Sequence, residues 1–176
     1  QVSVTAAAAY QRLFTDAFAE REPILGSDFS LFPLATKIAA LGEGDLSFLP
    51  IPRGRRTAII AAARLMAERP HLRTELLALP PGDVDSVLTS IPGVGPWTSA
   101  YVRLLSLGDL NIIPPGDVPL RRAIGRAYSL GRHATEAEVQ TVSAGWPKWR
   151  GYVAACFWLF DLDGHGQQMT FTTTER

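Results

Sequence analysis

The run Ile91-Pro92-Gly93-Val94-Gly95-Pro96-Trp97, with Asp117 placed 20 residues after Trp97, sets a tight glycine turn at fixed range from a carboxylate. Gly93 and Gly95 have no Cβ and can take positive φ. A nucleic-acid backbone can therefore approach the main chain closely, with the N–H groups of the following helix aimed at a phosphate. Such a contact reads no base. Taken alone, a turn of this composition more often joins two packed helices, and a lone aspartate beside a glycine at a helix start is most often an N-cap. Trp97 and Tyr101 stand four apart and share a helix face, which suits two core aromatics as well as a stack that receives a cationic ring.

The elements that must position these residues are nearly all helical. The segment 84–88 predicts a short helix capped by Asp83, and 97–105 a second one, giving a helix-hairpin-helix over residues 83–105. Residues 3 to about 20 have the alanine content and apolar spacing of an amphipathic helix, with Tyr10, Leu13, Phe14, Ala17 and Phe18 on one face. A loop follows, then a helix opened by Pro33 to about residue 41 and another from about 55 to 69. Thr135 and Glu138 have capping-box spacing and begin a helix that ends near Gly145, while Pro147 starts the last one. There is no alternating strand pattern and no repeat, and the tail from Asp161 reads as irregular. The expected fold class is all-α, a single domain of two lobes.

After the second helix of the hairpin comes Asn111-Ile112-Ile113-Pro114-Pro115-Gly116-Asp117-Val118-Pro119-Leu120-Arg121-Arg122, in which a glycine precedes an aspartate that opens another helix. With the turn, this resembles the helix-hairpin-helix, glycine/proline-rich, aspartate superfamily of base-excision DNA glycosylases. Members that also cleave the strand carry a lysine directly after Gly-x-Gly-x; here that position is Trp97. The chain's two lysines, Lys37 and Lys148, lie far from the motif in sequence, so the amine chemistry that needs a lysine is not expected. The 20-residue spacing is similar to that of the 3-methyladenine DNA glycosylase II branch. So are the segment from Trp146 to Trp158, which resembles that branch's Pro-x-Trp-Arg-x-Tyr helix, and the opening Gln1-Val2-Ser3-Val4, which resembles its first catalytic-domain helix. The resemblance covers almost the whole chain. It implies that residues 1–176 are the catalytic domain of a longer chain that carries a further mixed α/β domain.

What the resemblance implies for the site is specific. Asp117 is placed as the catalytic residue, stabilising a sugar with oxocarbenium character and activating water. Trp97, Tyr101 and Trp158 form the pocket for an extracted alkylated base, whose delocalised positive charge suits aromatic faces. For Trp149 the core is the expected place. Val118 stands where the family's best-known member has an aromatic ring, which implies a more open pocket. Gly93, Val94 and Gly95 hold DNA phosphates, and Gln1 aligns with the wedge that fills the gap left by the base. The carbonyls of Thr89, Ile91 and Val94 fall where the family binds a structural Na+ or K+, and no other cofactor is implied. The implied partner is double-stranded DNA bearing an alkylated base, bound by a monomer in the bacterial cytoplasm, at the nucleoid. An alternative keeps the grip without the chemistry: a noncatalytic DNA-binding module of an adaptive-response regulator. An apolar helical interaction domain is a third reading.

Composition bounds these readings. At 176 residues, 47% hydrophobic and 19% charged, the chain can bury a compact core. No run of 18 apolar residues suggests a membrane span, and the first residues lack a signal-peptide pattern. Cys156 alone builds neither a disulfide nor a four-cysteine iron–sulfur cluster, and a reduced setting is expected. His71, His133 and His165 have no metal-ligand spacing. The formal net charge of zero counts mildly against nucleic acid. It is offset by two clusters, Arg53-Arg55-Arg56 and Arg121-Arg122-Arg126, each of which also reads as a solvated helix face.

Overall fold

The computed structural model describes residues 4–24 and 27–162. These form two compact units that divide between Val94 and Gly95. The first contains α1 (Val4–Phe18), a hairpin of β1 (Arg21–Ile24) and β2 (Ser27–Ser30), α2 (Ala35–Ala39), a 3-10 turn at Glu43–Leu46, α3 (Arg53–Glu68), α4 (Leu72–Leu77) and α5 (Pro81–Thr89). The second contains α6 (Pro96–Ser106), α7 (Val118–Ala127), α8 (Glu136–Ala144) and α9 (Arg150–Leu162).

The first unit buries Phe14, Ile38, Leu46, Leu49, Ile60 and Ala63 as one core, with Phe18 partly covered beside them. Leu13 and Ala17, expected on the same face, are exposed. Helix α5 starts at Pro81 rather than at an Asp83 cap. Proline at the first helical position loses only an amide that has no helical partner, and Asp83 sits inside the first turn, where its charge favours the helix dipole. The antiparallel hairpin, Arg21 opposite Ser30 through Ile24 opposite Ser27, replaces the expected loop. Its four-residue strands, one containing Pro23, are too short and too polar to show a two-residue period. Helix α2 begins two residues after Pro33, and α4 was not foreseen at all.

In the second unit α7 is the central element. Leu120, Ala123 and Ile124 pack with Ala134, Val139, Ala154 and Phe157 of the surrounding chain. The capping box that opens α8 is present: Thr135 Oγ1 accepts from Glu138 N–H at 3.2 Å, and Glu138 Oε2 accepts from Thr135 N–H at 2.7 Å. Arg132 first, then the Thr135 amide and hydroxyl, hold the Glu138 carboxyl down at about 2. A carboxyl depressed on folding contributes stability above the ordinary value of 4.5, which is lost as pH falls toward about 2.

The last helix starts at Arg150, not Pro147. Lys148 takes a left-handed φ of 70°, which no helix interior accommodates, and its N–H donates to Asn111 Oδ1 at 3.1 Å. Helix α9 then lies tight against the 110–112 segment through Gly151, whose N–H donates to Leu110 O at 2.8 Å. A Cβ there would stand 2.6 Å from Leu104 Cδ1 and 2.7 Å from Ile112 O. The helix runs to Leu162, past the expected end at Asp161, and His165 with the rest of the tail lies outside the described residues.

Candidate active site

Asp117 is both a cap and the centre of the site. Gly116 precedes it at φ 68°, a left-handed turn that glycine adopts without cost, and delivers the chain into α7. Asp117 then caps α7: its Oδ1 accepts from Leu120 N–H at 2.8 Å. The same oxygen accepts from Trp158 Nε1–H at 2.9 Å, and Oδ2 accepts from Trp97 Nε1–H at 2.8 Å. The side chain is 4% exposed, so this is a buried anion fixed by three neutral N–H donors at the positive end of a helix. Neutral donors orient a carboxylate without cancelling its charge, which stays available to a cation presented from outside. Oδ2 has accepted one hydrogen bond and keeps a lone pair for a water.

The three aromatic residues expected in a pocket lie together: Trp97 and Trp158 bond this carboxylate, and Tyr101 packs against both of their rings. Trp97 and Tyr101, one turn apart on α6, stack with centroids 5.0 Å apart and planes at 17°. Tyr101 meets Trp158 of α9 at 5.5 Å and 41°. Trp97 is 42% and Tyr101 36% exposed, so each presents ring surface to solvent. Val118, the residue after Asp117, is half-buried. The sequence pointed to the rings as faces for a base. It did not show that two of them also hold the carboxylate. The available signal was the residue type, since tryptophan at both positions offers an indole N–H that phenylalanine lacks.

Trp149 departs from expectation. It is 55% exposed and meets Tyr152 edge-on at 6.2 Å, while Trp146 packs in the core against Phe157 at 5.6 Å. The late start of α9 is the cause, because Trp149 precedes the helix instead of lying on its inner face.

The glycine turn is also less symmetric than its sequence. Gly93 has φ 85°, and a Cβ on it would lie 2.9 Å from Ala58 Cβ and 3.3 Å from Gly54 O. Gly95 is extended, caps α6, and has open space where its Cβ would be. Val94 N–H is spent within the turn on Ile91 O at 3.0 Å. The donors left to face an anion are the amides of the first turn of α6, where Pro96 has none and Trp97 and Thr98 lack helical acceptors. Gln1 lies outside the described residues.

These facts separate two uses of glycine. Gly93→Ala should destabilise the fold by at least about 1 kcal/mol, the cost of a left-handed alanine. Gly95→Ala should cost less, roughly 0.5–1 kcal/mol, because its Cβ meets open space and only the poorer N-cap preference of alanine counts. If the turn grips phosphate, Gly95→Ala should still weaken binding to damaged and undamaged duplex alike. Thermal melts beside duplex titrations check this, and unchanged DNA affinity in a well-folded Gly95→Ala protein would remove the turn from the interface.

The arginine clusters divide. Arg53 is paired with Glu43, Nε to Oε2 at 2.5 Å, and Arg121 Nε donates to Ala134 O at 2.6 Å, so both have structural employment. Among the described residues no group of histidine, cysteine and carboxylate side chains could hold a metal ion. No described helix is long and apolar enough to cross a membrane.

No family model matches the chain. A DNA-3-methyladenine glycosylase of Bacillus subtilis is 29% identical over 158 residues, covering 90% of this chain and 52% of that protein. Among solved structures, the 3-methyladenine DNA glycosylase of Archaeoglobus fulgidus superposes with a TM-score of 0.80 at 23% identity, covering 92% of this chain and 54% of that one. The 3-methyladenine DNA glycosylase of Schizosaccharomyces pombe, in complex with abasic DNA, gives 0.72 at 19% identity, covering 90% and 73%. The chain spans about half the length of the Bacillus protein. Its helical fold is that of these solved DNA glycosylases, and by sequence it is similar to the DNA-3-methyladenine glycosylase of Bacillus subtilis.

Proposed function

We propose that this chain is the catalytic domain, over residues 1–176, of a DNA glycosylase that hydrolyses the N-glycosidic bond of alkylated bases of the 3-methyladenine type. The observation that carries the reading is the Asp117 carboxylate, buried and held by the indole N–H groups of Trp97 and Trp158 beside the exposed Trp97–Tyr101 stack. The base leaves its stack in the duplex and lies against these rings, which favour the positive charge of an alkylated purine. As the bond from the base nitrogen to C1′ breaks, its electron pair goes to the base and neutralises that charge. Positive charge develops on the sugar, where Asp117 stabilises it. Water, giving its proton toward Oδ2, adds to C1′ and leaves an abasic site.

The DNA is held through the turn at Gly93-Val94-Gly95 within the helix-hairpin-helix of residues 83–105, and Gln1 fills the vacated stack. The carbonyls of Thr89, Ile91 and Val94 are hard oxygens of the kind Na+ or K+ takes, although Ile91 O already shares one lone pair with Val94 N–H. A cation there would brace the turn, and no cofactor enters the reaction. The protein acts as a monomer in the bacterial cytoplasm, on nucleoid DNA.

Trp97 occupies the position that would supply a Schiff-base amine, and Lys37 is engaged elsewhere, its Nζ donating to Phe18 O at 2.9 Å. Incubation with methylated duplex should therefore release free base, seen by chromatography, and leave an abasic strand that breaks only on alkaline heating. Borohydride should trap no covalent protein–DNA adduct. Release of base with adduct formation would refute the hydrolytic mechanism; tight duplex binding without any release would favour the noncatalytic module.

A further inference from the structure

The turn that delivers Asp117 is bracketed by two ties to the chain at the start of α8. One follows the aspartate: Ala134 N–H donates to Arg121 O at 2.9 Å, and Arg121 Nε donates to Ala134 O at 2.6 Å, which docks the approach to α8 on the first turns of α7. The other precedes it, where Gly116 N–H donates to Glu136 Oε2 at 3.0 Å. Glu136 is the first residue of α8, and its backbone is set inside the Thr135–Glu138 capping box. Glu138 is spent on that box and on Arg132, which leaves Glu136 as the carboxylate that reaches the turn.

The turn needs such a tie. Ile113 packs against the core around α7, Pro114 is fully buried and Asp117 is buried, but Pro115 and Gly116 between them are exposed. Neither proline has an N–H, so the Gly116 amide is the first backbone donor after Ile113. Glycine at φ 68° has many other backbone conformations within reach. Rotation at Gly116 would swing the Asp117 carboxylate against the Trp97 and Trp158 indoles that hold it. A carboxylate accepting from an amide makes one of the stronger hydrogen bonds, whereas a water in its place would satisfy the amide without joining it to α8. The bond is exposed, so its share of global stability is small and its effect is on local geometry.

We propose that Glu136 is a positioning residue for Asp117. By fixing the Gly116 amide from α8, it sets the backbone from which the carboxylate reaches both indole N–H groups and the reacting sugar. It acts through Gly116 and Asp117 and not on the substrate. Its effect on rate rests on the glycosylase reading, whereas its effect on the bonds between Asp117 and the indoles does not. Misplacing a reacting group by about 1 Å can cost about a hundredfold in rate, so a partial loosening of the turn should cost about tenfold.

The test compares the full chain with Glu136→Ala and Glu136→Gln. Alanine suits an exposed helical position and glutamine keeps an oxygen acceptor, so both should fold, which thermal melts check. In Glu136→Ala the NMR resonances of the Trp97 and Trp158 indole N–H groups should shift, while that of the exposed Trp149 stays in place. Single-turnover base release should fall about tenfold, with affinity for an abasic-site duplex within about threefold of the parent. Glu136→Gln should return the resonances and bring the rate to within about threefold of the parent. A glutamine variant as slow as the alanine one would mean that the charge of Glu136 acts and not its bond, which overturns the proposal. Unmoved indole resonances in Glu136→Ala, or a parental rate in a variant whose resonances move, would overturn it too. If Glu136→Ala does not fold, Glu136→Ser, also too short to reach Gly116 N–H, takes its place. If the parent itself releases no base, the glycosylase reading has failed and the indole resonances decide on the positioning alone.

Discussion

Asp117→Asn should lower base release about a hundredfold or more while the protein remains folded. Asparagine keeps an oxygen for Leu120 N–H and Trp158 Nε1–H, so the cap of α7 survives. Its amide nitrogen then occupies the place of Oδ2 and turns N–H groups toward the Trp97 indole N–H, leaving two donors face to face. From the cap alone, aspartate and asparagine are about equal and no change in stability is expected. The indole pair adds an unmade hydrogen bond of roughly 1–3 kcal/mol, partly offset because a buried charge has gone, for a net loss of about 1 kcal/mol. The loss in rate has another origin. A neutral amide supplies no charge to the developing sugar cation, and removal of a principal electrostatic stabiliser costs about 2.7 kcal/mol or more in the barrier. Melting curves and time courses of base release, run on the same samples, check both parts.

Gly125→Ala should be the most damaging single methyl in the second unit, costing about 3 kcal/mol and lowering the melting temperature by roughly 10 °C. The new Cβ would stand 2.1 Å from the Arg132 carbonyl oxygen, 3.1 Å from its carbon and 3.2 Å from Ala134 N, all backbone atoms with no rotamer to change. Either α7 or the 131–134 segment must move, and Ala134 is fully buried in the core around α7. Gly151→Ala should cost somewhat less, because the backbone atom nearest its new Cβ, Ile112 O, is 2.7 Å away rather than 2.1 Å, and its other contact under 3.0 Å is the side-chain end of Leu104. Calorimetric melts of the two variants check the order; a Gly125→Ala protein as stable as the parent would mean that the backbones do not approach in this way.

The arrangement of the candidate site was legible in the sequence where its signals are local. The glycine turn, the spacing from Trp97 to Asp117 and the i, i+4 pair of Trp97 and Tyr101 are short-range signals, and the structure brings Trp97, Tyr101 and Asp117 together with Trp158. The Thr135–Glu138 capping box was equally readable, because every atom it needs lies within four residues. What failed depended on neighbours distant in sequence. Trp149 was assigned to the core and Trp146 not considered, since the true start of α9 is set by the left-handed Lys148 and its bond to Asn111, 37 residues away. Gly93 and Gly95 look alike in sequence, but only the first is packed against α3. Gly125 and Gly151 gave no sign of their importance, because what excludes a Cβ is a carbonyl brought up by another part of the fold. The double grip of Trp97 and Trp158 on Asp117 joins three elements and could not be counted along the chain.

The central claim is that Asp117 acts on the reacting sugar and is not only a cap. Single-turnover release of 3-methyladenine, measured beside the affinity for an abasic-site duplex in the parent and in Asp117→Asn, tests it most directly. The account predicts a rate about a hundredfold or more lower, with affinity for the neutral abasic duplex within about threefold of the parent. An unchanged rate, or rate and affinity lost together with the fold, would contradict it.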